Sequence, residues 1–487
     1  MKKNIDLNCD TNKVFDYIII GNSAAGLSAV SAIRLLDKNG TIAVLTNEKF
    51  PNYSKPLITY YLAGKVKAEN LYFKSEDFYM ENKVFLKLNT NVGKIDFAGK
   101  EIIADKGLRF KYKKLLMTNG GKPIIPGIEV LAANNFSAGF ESENKGKNYS
   151  EIKNKIIKML DNENFREICG IFTFTCLDDA ERIKAYIIKN NIKEAVILGG
   201  GLIGLKSAEA LLEIGIKIKI IELSDRILSA TFDKQASLII ENELEAKGSK
   251  IYTQNTINKI FIKDNKLEAI KLKNGEKINS KLLIVAVGVM PDLSIIKNSE
   301  AWIKDKDGKH IKYGKGIIVD EHMQTNIQDV YAAGDVTESF DFITGSKVNI
   351  AVWPLAVRQG EVAGINMAGG SKIYNGGYFM NSIEILQIPS ISIGITNPSG
   401  NIEGDIEIIK EYKPERKFYK KIIISDKKII GIILVGNIDR AGIYGGLIKN
   451  KVDISNIKEN LIKEDFGIIQ LPSDYKKHLV VGDGIEV

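Results

Sequence analysis

The tightest constraint on the fold is one pattern that occurs twice. Residues 15–36, FDYIIIGNSAAGLSAVSAIRLL, run from a short apolar stretch through a turn of small residues into helical periodicity rich in alanine and leucine. Residues 194–215, EAVILGGGLIGLKSAEALLEIG, repeat that order and lead into the alternating run IKIKIIE. Each predicts strand, tight turn, helix and strand, the opening of a doubly wound nucleotide-binding sheet. Two such openings in 487 residues predict two dinucleotide sites.

The second copy carries the full GxGxxG spacing at Gly199, Gly201 and Gly204. Gly199 allows the turn out of the strand, Gly201 lets backbone approach a pyrophosphate, and Gly204 permits close helix–strand packing. The helix beginning at Leu202 and Ile203 offers unpaired N–H groups and a partial positive charge to phosphates. Glu222 closes the following strand, where a carboxylate accepts both ribose hydroxyls and repels a 2′-phosphate. No arginine follows immediately, so NADH is preferred over NADPH. The first copy reads Gly21, Ser23, Ala24, Ala25, Gly26, with serine small enough to keep the approach open. At the end of its second strand Glu48 is taken as the ribose ligand.

The surrounding runs set the fold class. Apolar β-branched stretches at 113–120, 281–288, 316–320 and 329–335 alternate with helical patterns at 178–190, 204–214, 235–247 and 352–368. The expectation is α/β: two Rossmann-like dinucleotide-binding domains plus a C-terminal α+β domain. The predicted boundaries are 13–128 with 312–375 for one nucleotide domain and 170–311 for the other. Residues 129–169 are predicted as a polar insertion carrying an amphipathic helix at 151–160. The C-terminal domain spans 376–487, with a hairpin turn at Ser425–Asp426.

Composition excludes several classes. Hydrophobic residues make up 44% and charged residues 26%, a globular profile. The net charge of +8 comes from scattered lysines without a recognition module, so no nucleic-acid partner is expected. The apolar runs fall short of a membrane span, and the N-terminus lacks a signal-peptide core. Three cysteines, Cys9, Cys169 and Cys176, form no CxxC pair. A cytoplasmic protein without a metal site is the expectation; a homodimer is left open.

With both cradles in place, and TNIQDVYAAGDV at 325–336, the chain resembles the FAD-dependent pyridine nucleotide–disulfide oxidoreductase superfamily. The resemblance implies FAD on the first cradle and NAD on the second. It implies that Gly334 and Asp335 meet the ribityl and pyrophosphate region. It also brings Val92, Asn119, Gly120 and Gly288 to the cofactors, and Pro354 to a helix whose positive end faces the flavin. NYSKPLITYYLAG (52–64) is similar to a segment of rubredoxin reductases and nitrite-reductase flavin domains, with Lys55 in place of an arginine beside the flavin.

Two departures matter. No cysteine lies between Gly26 and Gly120, where such reductases keep their redox thiols, so disulfide reduction by a resident thiol is not expected. His478 lacks the context of the family's C-terminal acid–base histidine. Lys206 stands where relatives carry a glutamate, which implies a raised flavin potential or an oriented anionic acceptor; a lysine that only shields the phosphates is the plainer reading. The implied activity is NADH:acceptor oxidoreduction, with Lys55 and Lys206 as candidate catalytic residues. Electrons would pass through the flavin to rubredoxin, ferredoxin or an iron–sulfur subunit. Alternatives are a cysteine-independent NADH oxidase using dioxygen and a redox-sensing flavoprotein.

Overall fold

The computed structural model describes residues 14–75, 77–132, 170–299, 308, 310–398, 405–472 and 475. The expected insertion from 133 onward, the helix at 151–160, Cys9, Cys169 and His478 lie outside the described residues. The chain divides into two compact units. The first gathers residues up to 124, 175–185 and 288–378; the second gathers 125–174, 186–287 and 379–487. Residues 288–299, placed in the second nucleotide domain by the sequence, thus group with the first unit.

The first unit is built on a seven-stranded sheet. Val14–Ile20 lies between Ile42–Leu45 and Arg109–Met117 and runs parallel to both. Val330–Ala332 also joins Arg109–Met117 in parallel, so the segment after the second nucleotide unit returns to this sheet. From Tyr17 onward the first strand is buried on nearly every residue, as expected where helices cover both faces of a parallel sheet. The helices Ala24–Leu36 and Trp353–Met367 touch closely. A Cβ on Gly360 would lie 2.1 Å from the Ala25 carbonyl oxygen, so only glycine lets the backbones meet there.

The second unit holds a five-stranded parallel sheet, ordered Lys250–Tyr252, Lys217–Ile221, Glu194–Leu198, Leu283–Val285 and Ile171–Thr173. A four-stranded sheet packs with it through Ile260, Ile270 and Leu272. The C-terminal region forms a five-stranded antiparallel sheet and the helix Ala441–Lys449. This is the α+β arrangement expected for the C-terminal domain, and the region groups with the second unit. Asp233 shows why. It caps the helix Lys234–Ala246, accepts the Tyr419 hydroxyl at 2.6 Å, and pairs with buried Lys421 at 3.0 Å.

The hairpin turn sits one residue later than expected, because Asp426 and Lys427 adopt φ of 46° and 62° between strands ending at Ser425 and starting at Lys428. No helix among the described residues is long and apolar enough to cross a membrane.

Candidate functional site: two nucleotide cradles

In the first cradle the strand ends at Ile20 and the helix begins at Ala24. Gly21 takes φ +111°, and a Cβ there would sit 2.2 Å from the Thr118 carbonyl oxygen. Ser23 is the N-cap, yet its side chain makes no capping hydrogen bond. The first N–H groups of the helix therefore lack a side-chain acceptor at the mouth of the turn, the arrangement that suits a phosphate. The helix Trp353–Met367 likewise begins without a side-chain cap and carries Pro354 in its first turn.

Asn119 donates to the Asp292 carbonyl at 2.7 Å, and Gly120 turns the chain with φ +74° and open space where a Cβ would be. Gly288 and Ile124 meet where Gly121–Pro123 pairs with Val289–Pro291. Val92 is buried in the core, in a strand paired with Glu101–Ala104.

Lys55, Glu48 and Asp335 come together in this unit. The Glu48 carboxylate has one oxygen 3.2 Å from the Lys55 ammonium, and the other accepts the hydroxyl of Tyr53. Lys55 and Tyr53 thus engage both oxygens, each of which can still accept a further donor such as a ribose hydroxyl. Burial works against the charge on Lys55, but Glu48, Cys176 and Asp335 outweigh it and raise its pKa. Burial pushes the Asp335 carboxyl up, and the Lys55 charge pulls the other way. Among the described residues, nothing donates a hydrogen bond to the Asp335 carboxylate, whose backbone oxygen alone receives Asn349. A half-buried acid with a cation nearby and no donor from the described residues is open to a ligand bearing hydroxyl groups. With the open helix start, this makes the first unit a fit for FAD.

Two residues of this cluster escaped sequence reasoning. Tyr53 is 3% exposed, and its hydroxyl accepts the Leu177 N–H at 3.1 Å while donating to Glu48. Cys176 precedes that amide, well outside the 26–120 stretch where related reductases keep redox thiols. Burial, with Asp179 and Glu48 nearby, pushes its thiol up to about 12. It stays protonated at neutral pH, a poor nucleophile. The only hint in the sequence was a cysteine beside the start of a helix.

The second cradle repeats the geometry more openly. Gly199 takes φ +110°, and a Cβ on Gly204 would sit 1.9 Å from the Gly199 carbonyl oxygen. Gly201 is the N-cap before Leu202 and Ile203, with nothing within 4 Å of where its Cβ would be. That gap is the approach a pyrophosphate needs, and it fits NAD. Glu222 accepts Gly200 N–H at 2.6 Å and Ser224 N–H at 2.7 Å, which fixes its carboxylate beside the turn. Arg226 is committed to Asp225 and to the carbonyls of Phe232 and Ser229.

Lys206 lies two residues beyond Gly204, but its ammonium is engaged by Glu209 and by the Glu384 carbonyl at 3.0 Å. Glu209 in turn accepts Leu386 N–H at 2.7 Å. The pair holds the Leu386–Gln387 hairpin turn, whose residues both have positive φ. Among the described residues, no cluster of His, Cys, Asp or Glu is arranged to hold a metal.

Comparison with known proteins agrees with this geometry. Residues 15–360 match the model of the pyridine nucleotide-disulphide oxidoreductases, and residues 380–452 match the rubredoxin NAD+ reductase C-terminal domain. The chain is 28% identical to the NADH-dependent phenylglyoxylate dehydrogenase subunit epsilon of Aromatoleum evansii, covering 93% of this chain and 96% of that protein. It is 30% identical to an NADH oxidase of Methanocaldococcus jannaschii, covering 86% and 87%. It is 28% identical to the NADH-rubredoxin oxidoreductase of Clostridium acetobutylicum, covering 92% and 97%.

Proposed function

Since the chain belongs to the pyridine nucleotide-disulphide oxidoreductase family, we propose that it is an FAD-dependent oxidoreductase that takes hydride from NADH and delivers electrons to an external carrier. FAD, when bound, accepts the hydride and releases electrons singly or in pairs. Everything else is the work of the chain. The first cradle holds the FAD pyrophosphate at the start of Ala24–Leu36, and Asp335 accepts donors from the cofactor's hydroxyls. The second cradle holds the NADH pyrophosphate at the start of Leu202–Glu213, and Glu222 takes the adenosine ribose. The carrying observation is Glu222: its carboxylate is fixed by two backbone N–H groups, and Arg226 is tied to other partners. A 2′-phosphate would meet an anion there, and this supports NADH over NADPH.

An external acceptor is supported by the sequence, which has no cysteine between Gly26 and Gly120. The thiol of Cys176 is pushed up to about 12, which disfavours thiolate chemistry at that position. The rubredoxin-reductase match over 380–452 supports rubredoxin or a similar carrier, and the dehydrogenase-subunit relative supports a partner subunit. The oxidase relative keeps dioxygen as a second reading. Anaerobic NADH oxidation with rubredoxin or a ferredoxin added tests the choice. Rapid carrier-dependent turnover and slow turnover in air support the carrier; fast turnover in air that no carrier accelerates supports the oxidase.

Lys206 is assigned to the contact between the second cradle helix and the C-terminal hairpin. Its ammonium is engaged by Glu209 and by the Glu384 carbonyl, which supports a bracing role there.

A further inference from the structure

The Tyr53 hydroxyl bridges two groups that lie far apart in the chain. It accepts a hydrogen bond from the N–H of Leu177, the first residue of the helix Leu177–Asn190, and donates to Glu48. That N–H is one of the unpaired donors at a helix start, so the phenol oxygen sits at the positive end of the helix dipole. Donation from the helix polarises the phenol and strengthens its O–H as a donor to the carboxylate. Burial, with Glu48 and Cys176 nearby, holds the Tyr53 hydroxyl far above its usual range, so it donates at every working pH. The other Glu48 oxygen faces the Lys55 ammonium at 3.2 Å, and the Lys55 charge favours the ionised form of Asp335. The chain of contacts therefore runs from a fixed backbone amide, through Tyr53 and Glu48, to a charge beside the acid expected to meet the cofactor.

We propose that Tyr53 and Glu48 are positioning residues for Lys55, holding its ammonium in the FAD unit so that this charge tunes the bound flavin. The inference rests on the reading that this unit holds FAD. Without Tyr53, Glu48 loses its second donor and draws the ammonium more tightly to itself. A positive charge stabilises the reduced, anionic flavin, so withdrawing it lowers the midpoint potential.

The test measures the midpoint potential of the bound flavin in Tyr53→Phe, Lys55→Met and the double variant, alongside FAD content. Both single variants are expected to lower the potential, and Tyr53→Phe is expected to add nothing once Lys55 is absent. An equal shift from Tyr53→Phe with and without Lys55 overturns the proposal, because a purely structural tyrosine acts independently of the lysine. Glu48→Gln is the second handle, and retains shape if Tyr53→Phe folds poorly. It is expected to raise the potential while keeping FAD. Loss of FAD with an unchanged potential in residual holoenzyme returns Glu48 to the ribose and overturns the proposal. Failure of the native protein to bind added FAD sinks the FAD reading itself. A bound flavin indifferent to Lys55→Met sinks only this inference.

Discussion

Replacing Glu222 with alanine should separate the two nicotinamide cofactors. The carboxylate fixes the second cradle by accepting Gly200 N–H at 2.6 Å and Ser224 N–H at 2.7 Å. Hydrogen bonds to a charged group contribute about 1.5–3 kcal/mol each. Glu222 is half-buried, so water replaces part of the loss and the lower end applies. Two bonds at about 1.5 kcal/mol give about 3 kcal/mol, on the order of 100-fold in the NADH dissociation constant if the cradle loosens with them. NADPH has a compensating gain, because the variant no longer places an anion against its 2′-phosphate. Its affinity is expected to fall less or to rise, moving the NADH/NADPH ratio by at least about tenfold. Dissociation constants from anaerobic stopped-flow bleaching with each nucleotide check this. An equal factor for both nucleotides refutes the ribose role and leaves Glu222 as a backbone brace alone.

Other outcomes follow from the same geometry. Gly204→Ala forces a Cβ against the Gly199 carbonyl at 1.9 Å and should cost about 1–3 kcal/mol, read as weaker NADH binding with FAD content intact. Lys206→Glu sets a second carboxylate beside Glu209 and should lower the melting temperature while leaving the flavin potential unchanged, measured by thermal scan and redox titration. The Asp16 carboxyl is lowered to about 2: burial opposes its charge, but Lys113 and Thr41 prevail. Its stabilisation is therefore full above pH about 4 and lost as pH falls toward about 2; Asp16→Asn should flatten that acid limb by roughly 1 kcal/mol in denaturant melts. Alkylation of Cys176, followed by peptide mass mapping, should be slow at neutral pH and accelerate steeply in alkali, since its thiol is pushed up to about 12.

What was legible in the sequence was local. Gly199 and Gly204 act within a few residues, so spacing alone revealed the turn and the helix it opens. The strand and helix patterns were legible for the same reason, since a period needs only its own segment. Contacts that join distant segments were not. Tyr53 meets Leu177 across 124 positions, and Tyr419 meets Asp233 across 186, with no pattern in either segment to announce the pairing. Glu48 was assigned from its place after a strand, yet Lys55 and Tyr53 approach its carboxylate because the following turn folds back on it. Lys206 was judged by its distance from a glycine motif, while its partner Glu384 lies 178 positions away. The hairpin turn moved by one residue because Asp426 and Lys427 accept a positive φ that composition does not flag.

The most direct test of the central claim is an anaerobic titration of the FAD-loaded protein with NADH, followed by the flavin's visible absorption. The expected result is stoichiometric bleaching by NADH, far weaker bleaching by NADPH at equal concentration, and return of the colour when an oxidised iron–sulfur carrier is added. Protein that stays colourless with FAD, or a bound flavin that NADH leaves yellow, contradicts the account.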